Sequence, residues 1–155
     1  MSFPKLNVCG RLQRETSGAS AVEFVLVLPV LALLLFGVVD VSGLAWAKMQ
    51  VGAAARAGAS YALTNGFDEV GISNAATNAT GMAVTTNPPT KTFGCANVAT
   101  GITEVANAST PCPGSGETPG NYVTVGTSAN YSPIFGWPGL ADSISLTGEA
   151  RVRIP

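Results

Sequence analysis

A chain of 155 residues has room for one domain, or for a small domain with an appendage. Only 11% of its residues are charged (8 Lys and Arg, 9 Asp and Glu), against about 25% in a typical soluble domain; mean hydropathy is nevertheless +0.33 with 18 Gly and 10 Pro present, so the apolar residues must be concentrated in one place. The absence of His excludes Ser-His and Cys-His catalysis and most zinc sites, and a net charge of −1 with scattered basic residues speaks against nucleic acid as a partner.

The N-terminal stretch carries Lys5, Arg11 and Arg14, opposed only by Glu15 before residue 23. The apolar concentration follows. Residues 19–39 hold no charge but Glu23, and at 1.5 Å per residue such a helix spans about 30 Å, the thickness of bilayer hydrocarbon. Basic residues before the run and none behind it until Lys48 predict a single transmembrane segment. The N-terminus would be cytoplasmic and the remainder extracytoplasmic, in the lipid bilayer of a cell envelope. A cleavable secretory signal, cut near Ala45 or Ala47, is the competing reading, but its apolar region should be only about 7–15 residues long. Pro29 removes a backbone donor and crowds the carbonyl of Val25, which predicts a kink. Glu23 has two readings. It sits at the cytoplasmic surface and favours the positive end of the helix dipole, or it lies within the membrane, where an ionisable residue has a functional role.

The run Arg14-Glu15-Thr16-Ser17-Gly18-Ala19-Ser20-Ala21-Val22-Glu23-Phe24, followed by Val25-Leu26-Val27-Leu28-Pro29 and closing on Gly37-Val38-Val39-Asp40, resembles the N-terminus of the TadE-like family. These are minor pseudopilins of the tight-adherence (Tad, or Flp) pilus, a branch of the type IV pilus systems. The resemblance lies in a basic leader, a small residue at the cut, Glu five residues beyond it, an aromatic next, and a Leu/Val run containing Pro. It covers about residues 11–43. It implies a pilin-like architecture and cleavage by a membrane prepilin peptidase after Gly18, with Ala19 as the new N-terminus. Other pilins and pseudopilins and the inner-membrane pilus platform are the implied partners. Cleavage would also place the α-ammonium of Ala19 one helical turn before Glu23. The carboxylate, with Phe24 beside it, could then pair within the chain or with the ammonium of a neighbouring subunit.

Beyond the apolar run the chain stays helix-permissive to Leu63, about 68 Å from Ala19 at 1.5 Å per residue. Ala54, Gly58 and Ala62 form a ridge of small residues at four-residue spacing. Such a ridge admits a second backbone at close range, from another subunit or from the chain's own head. Thr64-Asn65-Gly66 breaks the pattern. A second short helix is expected over Asp68–Met82, with Asp68 as N-cap and Val70, Ala75, Ala79 and Met82 on its inner face. Asn87-Pro88-Pro89 stops it. Strands are expected at Lys91–Asn97, at Tyr122–Gly126 and, from an eleven-residue alternation, at Ile144–Ile154. Pro/Gly-rich turns occupy Pro111–Gly120 and Ser132–Gly139. The expected fold class is therefore α+β: a long N-terminal helix and a small C-terminal antiparallel meander resting on it. The divisions are a leader (1–18), the helix (19–63) and an extracytoplasmic head (64–155).

Cys9 falls in the cytoplasmic leader, which leaves Cys95 and Cys112 in the head. They are expected to form a disulfide, because small exported domains need staples; two buried free thiols are the alternative. No catalytic constellation emerges: Asp68 and Glu69 diverge on a helix, and no cofactor or metal is expected. The sequons at Asn78, Asn107 and Asn130 are matches that an Asn/Ser/Thr-rich chain produces by composition. Trp46 is read as an interfacial anchor and Trp137 as head core. Three functions compete: an assembly component of the pilus machine, a membrane-tethered binding or adhesion module, and a secreted enzyme, which the lack of His disfavours.

Overall fold

The structure, a computed structural model, describes residues 16–97, 101–135 and 142–155, with side chains from Ser20 onward. The leader as far as Glu15, with Cys9, and Trp137 lie outside the described residues. Helix α1 runs Thr16–Asn65 and α2 Glu69–Asn78; strands follow as β1 Thr85–Thr86, β2 Thr90–Asn97, β3 Gly101–Val105, β4 Gly120–Tyr131 and β5 Ile144–Ile154. The fold class is α+β. The chain divides into two units, Met1–Val39 and Asp40–Pro155.

In the first unit every large apolar side chain from Val22 to Val39 is exposed, from 45% at Phe36 to 71% at Leu26. A soluble helix concentrates its apolar residues on one stripe. This one is apolar all round and buries none of them.

In the second unit α1 is two-faced. Ala47, Val51, Ala54, Ala55, Ala59 and Ala62 are buried at spacings of one, three and four, the repeat that lines one helix face, while Lys48 and Arg56 are exposed. The helix ends at Gly66, whose φ of +80° lets its N–H return to the Ala62 carbonyl at 3.0 Å. Two apolar clusters join helix to sheet. Ala47, Val51 and Ala54 meet Val84, Ala129 and Leu146. Ala59 and Ala62 meet Ile72, Ala76, Val123, Val125 and Ile154.

The short helix occupies fewer residues than expected, and its buried face is Ile72 and Ala76. Val70 is 69% exposed and Ala79 is also exposed, so the inner face read from the sequence was rotated. Asp68 takes the N-cap position with extended backbone but makes no capping bond; its carboxylate instead accepts a hydrogen bond from the Tyr61 hydroxyl at 3.4 Å.

The sheet is antiparallel but not a simple meander: β4 pairs with β1, β2 and β5, leaving β3 beyond β2. The short β1 shares the β2 side of β4. Pro88 and Pro89, which cannot donate to a ladder, separate the two strands. The β4–β5 ladder is the longest, from Asn121↔Ile154 to Tyr131↔Ile144, and β5 alternates inward and outward as its sequence demands. On the outer face Arg151 donates to Thr124 Oγ1 and pairs with Glu104, each at 2.8 Å. Both partners are substantially exposed, so the pair contributes at most about 1 kcal/mol.

Cys95 and Cys112 form a disulfide, Cα–Cα 5.5 Å, that ties β2 to the β3–β4 connection. A loop of this size stabilises by about 3 kcal/mol in the chain-entropy model. Cys95→Ser with Cys112→Ser should therefore lower unfolding stability of the full chain in detergent by about that amount, read by chemical denaturation. Equal stability of the double variant and the parent would deny the bond this role.

Candidate functional site

The residues that the sequence singles out at the start of α1 fall on one uninterrupted helix. The helix as described already contains the Gly18–Ala19 peptide, whereas the sequence places Ala19 as its first residue. Glu23 is exposed and has no salt bridge among the described residues. Phe24, 61% exposed, is its neighbour. Pro29 is accommodated inside the continuous helix. The result is a cylinder of hydrocarbon side chains bearing one carboxylate near its beginning. Over Ser20–Asn65 the helix is long and apolar enough to cross a membrane.

A second carboxylate stands at the end of the apolar run. Asp40, the first residue of the second unit, is only 8% exposed. Its Oδ1 accepts the backbone N–H of Ile134 at 2.9 Å and its Oδ2 that of Phe135 at 3.3 Å. Its backbone carbonyl accepts the Tyr131 hydroxyl at 3.2 Å. Gly43 makes room for that tyrosine, because a Cβ at position 43 would collide with the hydroxyl. Asp40 thus latches the turn after β4 to the helix. A bond to a charged acceptor contributes about 1.5–3 kcal/mol, roughly twice an ordinary one. In the sequence Asp40 stands out as the close of the family-like run and not as a latch. A lone acid directly behind hydrocarbon was the available signal.

The small-residue ridge faces the chain's own sheet and short helix. Ala54 and Ala62 are fully buried. A Cβ on Gly58 would lie 3.0 Å from Val125 Cγ1, 3.1 Å from the Ile72 carbonyl and 3.2 Å from Ala76 Cβ. A polar pin adds to this contact: the buried Thr127 hydroxyl donates to the helix carbonyl of Val51 at 2.9 Å. Away from the helix, a groove of about 340 Å³ beside the disulfide is lined by Cys95, Ala96, Asn97, Thr103, Cys112 and Pro113 among others, none of them charged. Among the described residues no three His, Cys, Asp or Glu side chains come together in a way that could hold a metal ion.

A family model described as TadE-like protein matches residues 18–60. The match takes in the Gly18–Ala19 peptide, Glu23, Pro29, Asp40 and most of the small-residue ridge; the whole of the head, from residue 64, lies beyond it. No curated protein and no solved structure matches the chain.

Proposed function

We propose that the chain is a minor pseudopilin, a structural component in the assembly of a Tad/Flp-type pilus, and that it performs no catalysis. The observation that carries this reading is an exposed, all-round apolar segment of the helix, residues 22–39, with Glu23 as its single charge, inside the stretch that the TadE-like model matches. Such a surface is stable only in lipid or against other apolar helices. The N-terminus faces the cytoplasm and the head lies outside, with the disulfide suited to that oxidising side. A prepilin peptidase removes the leader after Gly18. The freed Ala19 ammonium then neutralises Glu23, in the same chain or in a neighbouring pilin, so that assembly and charge pairing are coupled. The Ala54–Gly58–Ala62 ridge of the helix is occupied by the chain's own head, and the apolar segment is the surface for subunit contacts and for the inner-membrane platform.

The test is genetic and physical together. Deleting the protein should abolish or sharply reduce Flp-type pili. A photo-crosslinker at Leu28 in the restored protein should capture other pilins of the same machine. Normal piliation in the deletion strain, with crosslinks to lipid alone, would contradict the reading and favour a tethered module acting independently.

A further inference from the structure

We infer that the turn at Ile134–Phe135 is a second membrane contact, a hydrophobic foot that rests on the lipid surface where α1 leaves it. The inference rests on the proposed membrane span and adds to it. Three observations converge on the turn.

The first is position: the turn is held by the carboxylate of Asp40, one residue beyond Val39, where the apolar run ends. Whatever depth Asp40 occupies, the backbone of Ile134 lies within a hydrogen bond of it. The second is exposure. Ile134 is 70% exposed, although the strand before it buries Val123, Val125, Thr127 and Ala129 one after another. Folding of the head leaves this isoleucine largely uncovered. The third is polarity. From Ala129 to Ala141 the sequence carries no charged side chain.

The backbone chemistry suits the same place. An unpaired N–H costs far more against hydrocarbon than in water. Pro133 has no N–H, and those of Ile134 and Phe135 are donated to Asp40. The bonds serve both sides, because a carboxylate this close to lipid needs donors as much as the amides need an acceptor. Next along α1, Val41 and Trp46 are exposed, and an exposed tryptophan is at home at the headgroup level. The partner that fits is a lipid surface and not a charged protein.

Fluorescence depth measurement on the full chain in phosphatidylcholine vesicles tests this. In a Cys9→Ser background that keeps the disulfide, single thiols from Ile134→Cys, Leu33→Cys and Thr118→Cys would carry an environment-sensitive dye. Lipids bearing a nitroxide near the headgroup should quench most of the emission at position 134. Lipids with the nitroxide deep in the chains should quench position 33, and neither should affect position 118, on the exposed loop beyond the disulfide. Quenching at 33 without quenching at 134 would overturn the foot and leave the span standing. No quenching at 33 would remove the span and the foot with it. A dye at 134 shielded from both nitroxide lipids and aqueous iodide would show a protein covering the turn, such as a second copy of the chain, and would also overturn the inference.

Discussion

Gly58→Leu should detach α1 from the head's sheet and short helix and lower the stability of the second unit more than any other single change on the ridge. The position has no slack. A Cβ alone would meet Val125, the Ile72 carbonyl and Ala76 at 3.0–3.2 Å, and a leucine adds three further carbons in the same direction. Overpacking of this kind costs about 1–3 kcal/mol and sometimes more, and here one obstacle is backbone, which cannot rotate aside. Gly52 is the internal control. It lies on the same helix with nothing within 4 Å of an added Cβ, so Gly52→Ala should raise stability by up to about 1 kcal/mol through helix propensity alone. Denaturant unfolding of the two variants in detergent should thus move in opposite directions. A tolerated leucine at 58 would mean that the helix and sheet do not touch as described.

Glu23→Gln carries the largest expected effect on function. Glutamine keeps the size and removes the charge. If Glu23 only marks the membrane edge, the variant should behave as the parent. If it pairs with the ammonium of a cleaved N-terminus, that cation is left without its partner in a medium of low dielectric, and association with other pilins should fall by more than about tenfold. The expected outcome is that the variant still inserts and is still cleaved after Gly18, yet no longer crosslinks to other pilins or supports piliation. Membrane fractionation, N-terminal sequencing and crosslinking on the same variant separate these steps. Full crosslinking and normal pili with glutamine in place would reduce Glu23 to a surface residue.

What the sequence revealed and what it concealed follow from the range of the forces involved. The long helix and β5 were legible because each announces itself by local pattern: sixteen uncharged residues from Phe24 to Val39, and strict alternation from Ile144 to Ile154. Cys95 and Cys112 could be paired because topology removed the third cysteine from consideration. The second half of β4 stayed hidden because Thr127 occupies a buried position, satisfied by the Val51 and Gly148 carbonyls. An inward threonine breaks the apolar rhythm that a strand is recognised by. The short helix was placed correctly but rotated, since its inner face is set by what Ile72 packs against and not by its own weak periodicity. β1 is only two residues long, and its place on β4 depends on register with Thr127 and Ser128.

The candidate site divides in the same way. Gly18, Glu23, Phe24 and Pro29 are legible as a linear motif, because their meaning depends on spacing along one helix. The Asp40 latch is not, because its acceptors are satisfied by Ile134 and Phe135, more than ninety positions away. The ridge lay between these cases. Its spacing was visible, but only the structure shows that Ile72, Ala76 and Val125 fill it.

The function proposed for the chain turns on cleavage of the Gly18–Ala19 peptide. N-terminal sequencing of the protein from cells with and without the prepilin peptidase tests it most directly, with Gly18→Val as a third sample. A chain beginning at Ala19 is expected when the peptidase is present. Both its absence and the Gly18→Val change should yield a longer, leader-bearing chain that remains in the membrane. A mature N-terminus near residue 48 in every sample would contradict it, since cleavage after Ala45 or Ala47 removes the whole apolar segment and releases the head as a secreted protein.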